Sequence, residues 1–218
     1  MQTDKKPRRA DLLRQFEASD AHKDIQVPAS EDLLPFARAL TRASEAESIP
    51  ELQRACLEFL DLMADFYEVS TPKLRLLGPR PHRTYEGRLS SELFGDYDLS
   101  DQSIRLWTRT PLMKKWTSSG TILSTICHEL MHHLDVTLLD FKNTFHTVGF
   151  YERSHRLYLA AIDHPYYPLK WYSGFGPRGS RVVNWPATNR GKALALLRAT
   201  NTKERPTLAG GTVGHREG

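Results

Sequence analysis

Residues 125–135 read Thr125-Ile-Cys-His-Glu-Leu-Met-His-His-Leu-Asp135, and this stretch decides how the rest of the chain is interpreted. His128 and His132 stand four positions apart, with Glu129 directly after the first histidine. On an α-helix, positions i and i+4 share one face, so both imidazoles can reach one zinc ion at about 2.0–2.1 Å. Glu129 is rotated by about 100° from His128, which suits a base beside a zinc-bound water better than a third ligand. The H-E-x-x-H pattern therefore predicts a helix that carries two zinc ligands and a general base.

The residues around this pair indicate a helix with two different faces. The apolar side chains recur on one side of it: Leu123, Ile126, Leu130, Leu134 and Leu138. The two histidines share the other side with Thr121, Thr125 and Asp135. We expect this helix to run from about residue 119 to 140, with Ser118 or Ser119 as its N-cap. Histidines that point away from the apolar stripe are typical of a metal site rather than of core packing.

A catalytic zinc site takes three protein ligands, so a third ligand is expected from outside this helix. A second helix is predicted over residues 147–162, and the candidates near it are His146, Glu152, His155, Asp163 and His164. His133 points to the flank of the zinc helix and suits packing or the support of a ligand side chain. Asp135 lies one turn after His132, where it can hydrogen-bond a ligand imidazole or remain an exposed carboxylate.

The segment His128-Glu-Leu-Met-His132, a short loop and then His146-Thr-Val-Gly-Phe150 resemble the SprT-like metallopeptidases, which include the Spartan-type proteases acting on DNA–protein crosslinks. The resemblance covers about residues 70 to 160. It implies a zincin-like α+β fold, His128, His132 and His146 as zinc ligands, and Glu129 as the general base. Glu152 stays open as an alternative third ligand, because the gluzincin pattern places a glutamate on the next helix.

Two departures from that family concern the DNA-linked role and the loop. Thr147 follows the third histidine, where the family has a glycine. The chain has only two cysteines, Cys56 and Cys127, and cannot form the cysteine-rich zinc module with which many members bind DNA.

The remaining sequence completes the predicted α+β fold. Helical spacing of apolar residues predicts N-terminal helices, the strongest over residues 50–69. Strands are predicted over residues 73–77, 88–94 and 103–108. The last two are expected to pair across a turn at 95–101, in a small, mainly antiparallel sheet. We also expect the strand at 104–108 to present an edge to an extended peptide substrate.

The chain is predicted to have three parts. Residues 1–30 form a flexible basic arm and a short helix, residues 31–163 the metallopeptidase domain, and residues 164–218 a basic, aromatic extension. The extension carries nine Lys or Arg and two Glu, a net charge of +7, while the whole chain carries +4. Its aromatic residues lie among Lys170, Arg178 and Arg181, and are Tyr166, Tyr167, Trp171, Tyr172, Phe175 and Trp185. They predict either a surface that stacks on nucleic-acid bases or aromatic side chains that wrap around the helical domain and fill its core.

Composition limits the class of protein. Charged residues make up 26% and hydrophobic residues 39%, which is typical of a soluble globular chain. No apolar run approaches the length of a membrane span, and a chain with two cysteines suits a reducing cytoplasm. We therefore expect a cytoplasmic zinc-dependent peptidase that acts on a protein or peptide. The alternative is a nucleic-acid-associated protein with a structural zinc site. Tyr151, Arg153 and Tyr158 are candidate donors to the substrate carbonyl oxygen.

Overall fold

The computed structural model describes residues 1–85, 88–172 and 179–203. The helices are α1 (Ala10–Ala21), α2 (Ser30–Glu45), α3 (Ile49–Tyr67), α4 (Ser119–Thr137), α5 (Val148–Ala161) and α6 (Trp185–Lys203). The strands are β1 (Lys73–Pro79), β2 (His82–Tyr85), β3 (Arg88–Glu92), β4 (Gly95–Asp98) and β5 (Ser103–Arg109). The prediction of an α+β fold with His128 and His132 on one helix is confirmed.

Local sequence accounts for where α3 begins and ends. Ser48 caps it by accepting a hydrogen bond from the backbone N–H of Glu51 at 3.5 Å, and Pro50 lies in the first turn, where its missing N–H costs nothing. Beyond Tyr67 the chain turns out of the helix through Glu68, which has a φ of 55°. Of the apolar side chains predicted at helical spacing in α3, six are in the core: Leu52, Ala55, Cys56, Phe59, Leu60 and Met63. Phe66 has the same spacing, but the prediction that it joins them is wrong, because its side chain is exposed.

The three-stranded sheet has the order β1-β5-β4. β1 is parallel to β5 and β4 is antiparallel to β5, so the sheet is mixed and the prediction of a mainly antiparallel sheet is wrong. The partner predicted for β5 is wrong as well, because β3 pairs with β2 in a separate two-stranded sheet. Part of the predicted turn, Gly95–Asp98, pairs with β5 instead. Asp96 is accommodated there by Arg105 on β5, which donates two hydrogen bonds to its carboxylate at 2.6 and 2.7 Å.

β5 lies between two strands, so the expectation that it presents a free edge is wrong. The edge strand next to α4 is β4. A side chain at Gly95 would place its Cβ 2.5 Å from Thr125 Cγ2 and 3.0 Å from the carboxylate of Glu129. Glycine at this position therefore lets the backbone of β4 lie directly against the Glu129 side of α4.

α4 is buried on both of its faces. Its apolar stripe lies in the core with α2, α3 and β5, and includes Leu123, Ile126, Leu130 and Leu134. Its histidine face is covered by α5, where the Phe150 ring lies 4.9 Å from that of His128 and 4.4 Å from that of His132. Phe150 therefore packs α5 against α4. Leu138, expected on the apolar stripe, lies after the helix and is exposed.

Residues 1–4 lie beside residues 180–183. Gln2 forms an antiparallel bridge with Val182, and Thr3 exchanges two hydrogen bonds with Arg181. The extension is tied to α5, because the Glu152 carboxylate accepts a hydrogen bond from Tyr166. The three predicted parts therefore contact one another, and their boundaries stay predictions. Within the described ranges, no helix is both long and apolar enough to cross a membrane.

Candidate metal centre

Three histidines from two separate parts of the chain converge at the start of α5. His128 and His132 lie one turn apart on α4, and the loop between α4 and α5 brings His146 to them. The Nε2 atom of His146 lies 3.0 Å from that of His128 and 3.1 Å from that of His132. One ligand atom from each residue can be chosen so that all lie within 4.8 Å of one another. Nitrogens bound tetrahedrally to one zinc ion at 2.0–2.1 Å lie about 3.3 Å apart, so these side chains fit one ion with little movement.

The chemistry of the cluster also fits a cation. Burial, together with a smaller effect of the neighbouring histidines, lowers the pKa of His128 to about 3 and that of His132 well below its ordinary value. The imidazoles of His128 and His132 are therefore neutral at pH 7 and keep lone pairs to donate. A divalent ion satisfies three ring nitrogens that face one another better than one shared proton does. Imidazole suits zinc, copper, iron and nickel, so the donor set by itself indicates a transition metal rather than a particular one.

His132 is oriented by a chain of hydrogen bonds that begins at its other ring nitrogen. Nδ1 lies 2.6 Å from the Thr144 hydroxyl, and that hydroxyl lies 3.5 Å from Oδ2 of Asp135. When Nδ1–H donates to Thr144, Nε2 carries the lone pair that faces the cluster. A hydrogen bond at Nδ1 that sets the tautomer and the ring orientation is the usual support of a metal-binding histidine.

The series of hydrogen bonds that begins at His132 ends at a buried ion pair between Asp135 and Arg153, which the sequence did not reveal. The Arg153 guanidinium donates to Asp135 Oδ1 at 2.6 Å, and both side chains are 0% exposed. Arg153 also donates to the backbone carbonyls of Ser19 and His22. Burial raises the pKa of Asp135 to about 6, and the guanidinium opposes that rise. Asp135 is thus buried rather than an exposed carboxylate, and it acts on His132 through Thr144.

Glu129 lies on α4 with only 4% of its surface exposed. Burial raises the pKa of its carboxyl well above the ordinary value, and the nearby Asp96 adds to the effect. Among the described residues, none donates a hydrogen bond to this carboxylate at normal distance and angle. A buried carboxyl with a raised pKa and no fixed partner holds a proton more strongly than an ordinary glutamate, as a general base requires.

Other residues considered from the sequence lie elsewhere. The carboxylate of Glu152 accepts from the Tyr166 hydroxyl at 2.9 Å and from the Leu169 backbone N–H at 3.3 Å, so it anchors the extension. His155 packs its ring against Tyr167. His164 donates from Nδ1 to the carbonyl of Pro165 at 2.7 Å, and Asp163 follows α5 with a φ of 51°.

His133 has a packing role, as predicted from its position on the flank of α4. Its Nε2–H donates to the backbone carbonyl of Ser70 at 2.7 Å, and its Nδ1 accepts from the Tyr97 hydroxyl at 2.9 Å. The side chain therefore links α4 to β4 and to the segment before β1.

Of the three residues considered as hydrogen-bond donors to a substrate carbonyl oxygen, Tyr151 lies at the histidine cluster. Its ring is stacked 5.7 Å from that of His146, and its hydroxyl donates to the backbone carbonyl of Gln2 at 2.9 Å. Arg153 is committed to Asp135, and Tyr158 packs against the core.

The loop around His146 shows why Thr147 can replace a glycine. Thr147 has a φ of −92°, which any residue can adopt, and its side chain caps α5 by accepting from the Phe150 N–H at 3.0 Å. A second hydrogen bond joins the hydroxyls of Thr147 and Ser19 at 3.0 Å. Threonine therefore contributes a cap that glycine would lack.

The predicted nucleic-acid surface is divided by the fold. Tyr167 is buried, whereas Tyr166, Tyr172 and Trp185 are exposed. Phe175, Arg178 and residues 204–218 lie outside the described residues. Nucleic-acid binding therefore stays a prediction.

Comparison with known proteins adds no relative: no family model, no curated protein and no solved structure matches the chain. The class that the fold and the site define is therefore an α+β protein with a possible three-histidine metal site.

Proposed function

We propose that this protein is a zinc-dependent peptidase in which His128, His132 and His146 bind the ion and Glu129 is the general base. The observation that carries the proposal is the convergence of the three Nε2 atoms next to a buried glutamate on the same helix. Structural zinc sites are closed by four ligands, whereas catalytic sites have three protein ligands and an open position. The cluster found among the described residues has three.

Glu129 favours a catalytic site over a structural one. Burying a carboxyl group without a cation or a hydrogen-bond donor costs free energy, and a structural site gains nothing from it. A peptidase does gain, because a carboxylate with a raised pKa is a stronger base than an ordinary glutamate. A bound zinc ion supplies Lewis acidity and lowers the pKa of a coordinated water to about 7. Glu129 takes the proton released as water attacks the scissile carbonyl and delivers it to the leaving amine.

β4 supports an extended peptide as the substrate. It is an edge strand, so one side of its backbone is not paired within the three-stranded sheet. Gly95, at its start, lies against Glu129. A peptide that adds to this edge as a further strand passes close to the base and is recognised mainly through its backbone.

The test combines metal analysis with cleavage of an unfolded generic protein, for wild type and Glu129→Gln. We expect the variant to retain about one zinc per chain and to lose about 10²–10⁴-fold in cleavage rate. The matched control is Glu152→Gln, which changes a second buried glutamate and is expected to cleave at close to the wild-type rate. Equal cleavage by Glu129→Gln and wild type would remove Glu129 as the base.

The same assays separate the two candidate third ligands. His146→Ala should lower zinc content, because it removes one of the three converging nitrogens. Glu152→Ala should leave zinc content unchanged, because its carboxylate is bonded to Tyr166 and Leu169. The opposite pattern would transfer the ligand role to Glu152.

A further inference from the structure

The third histidine lacks the support that a helix gives to the other two. His128 and His132 project from consecutive turns of α4, whereas His146 lies in a loop, between Thr144 with a φ of 37° and the N-cap Thr147. A loop side chain must be held in place by contacts from elsewhere if it is to bind an ion in a fixed geometry.

Asp4 makes those contacts. The backbone N–H of Asp4 donates to the carbonyl of His146 at 2.8 Å, and the backbone N–H of His146 donates to Oδ2 of Asp4 at 2.9 Å. The same Oδ2 lies 3.5 Å from Nδ1 of the His146 ring. One carboxylate oxygen thus faces both the backbone and the ring of His146, while the ring's Nε2 faces His128 and His132.

The segment that carries Asp4 is itself fixed. Thr3 donates from its backbone to the carbonyl of Arg181 at 2.9 Å and accepts from the Arg181 N–H at 2.8 Å. The side chain of Gln2 donates to the Ser180 hydroxyl at 2.8 Å, and the backbone carbonyl of Gln2 accepts from the Tyr151 hydroxyl. Asp4 is therefore held at His146 by residues 180–183, which belong to the C-terminal extension.

We propose that Asp4 is a positioning residue for the metal site, whose carboxylate orients the His146 ring so that Nε2 faces the ion. A carboxylate at Nδ1 holds the proton on that nitrogen, leaves the lone pair on Nε2 and makes the imidazole a stronger ligand. Asp4 thus does for His146 what Asp135 does for His132 through Thr144. The inference rests on the proposed three-histidine site, and it assigns residues 1–4 and 180–183 a role in metal binding.

The experiment measures Zn²⁺ affinity by competition with a chromophoric chelator, and the visible absorption of the Co²⁺-loaded protein, on the full chain. Asp4→Ala removes the carboxylate, whereas Asp4→Asn keeps an oxygen for the His146 N–H and removes the charge. We expect Zn²⁺ affinity to fall about 10- to 100-fold in Asp4→Ala and about tenfold in Asp4→Asn, with altered Co²⁺ spectra in both. The control is Asp11→Asn, because Asp11 is bonded to Arg9 on the surface, and it should match wild type.

Thermal unfolding of the metal-free proteins separates positioning from folding. If Asp4→Ala unfolds more easily, Asp4→Asn decides, and wild-type affinity with a wild-type Co²⁺ spectrum in that variant would overturn the inference. A wild-type chain that binds neither zinc nor cobalt would remove the proposed function itself. A wild type that binds zinc and cleaves protein, beside Asp4 variants that bind equally well, would remove only the role of Asp4.

Discussion

Replacing Asp135 with asparagine tests the buried network that orients His132. The change keeps the size of the side chain and removes its negative charge, so the guanidinium of Arg153 is left without a counter-ion. Both side chains are 0% exposed, and the guanidinium lies 2.6 Å from the carboxylate. Breaking a buried ion pair by removing one partner costs about 3–5 kcal/mol.

The structure places the expected loss at the lower end of that range. Arg153 keeps its hydrogen bonds to the carbonyls of Ser19 and His22, which partly compensate the remaining charge. We therefore expect Asp135→Asn to lower the free energy of unfolding by about 3 kcal/mol. Because domains are stable by about 5–15 kcal/mol, the variant should still fold.

The assay is urea unfolding followed by circular dichroism, with a chelator present so that metal binding does not contribute. The control is Glu17→Gln, which breaks the surface pair of Lys6 and Glu17, whose side chains are 49% and 54% exposed. That variant should change the free energy of unfolding by less than about 1 kcal/mol. A loss of less than about 1 kcal/mol in Asp135→Asn would refute the view that Arg153 depends on this counter-ion.

A double variant that replaces both Asp135 and Arg153 shows whether the ion pair stabilises the fold more than apolar side chains would. The pKa of Asp135 is raised to about 6, so the cost of burying its charge exceeds the attraction of Arg153. Buried ion pairs of this kind can often be replaced by apolar residues without loss. The double variant Asp135→Leu with Arg153→Met should therefore unfold at a higher urea concentration than Asp135→Asn alone.

Two further predictions concern packing and pH. Gly149→Ala should lower the free energy of unfolding by about 3 kcal/mol or more, because its Cβ would lie 2.7 Å from the carbonyl oxygen of His22 and closer still to that of Ser19. Gly120→Ala, whose Cβ meets nothing within 4 Å, is the control in urea unfolding and should not destabilise. Burial lowers the pKa of His155 to about 4, so the unfolded chain takes up a proton below pH 6.5 that the folded chain refuses. The free energy of unfolding that depends on neutral His155 is therefore fully present above pH 6.5 and is lost as the pH falls toward 4. When the pH falls from 6.5 to 5, the free energy of unfolding of His155→Phe should decrease by about 2 kcal/mol less than that of wild type. Equal decreases would contradict a lowered pKa of His155 as the cause.

Features that depend on neighbouring residues could be predicted from the sequence. The i, i+4 spacing of His128 and His132 places them on one face of any helix, whatever surrounds it. Ser48 and Ser118 cap their helices through residues only three positions away. Most of the apolar positions of α3 that follow the helical period are buried as expected, and Phe66 is the exception. Such features need no knowledge of the rest of the chain.

The pairing of the strands could not be predicted in the same way. Gly95 and Asp96 are typical turn residues, and they form a strand because β5 offers hydrogen bonds and Arg105 pairs with the aspartate. Propensity describes one residue at a time, whereas strand pairing is decided by the partner.

The sequence alone therefore determined the helix with the H-E-x-x-H pattern, its two histidines and the glutamate between them, because one turn of helix relates these residues. Only the tertiary structure brought His146 to that pair, in preference to Glu152. It also placed Asp4 behind His146, and Asp135 with Arg153 behind His132. The contacts of His146 with the pair, of Asp4 with His146 and of Asp135 with Arg153 join residues 14 to 142 positions apart. Hydrogen bonds and burial set these distances only after the helices and the strands have packed.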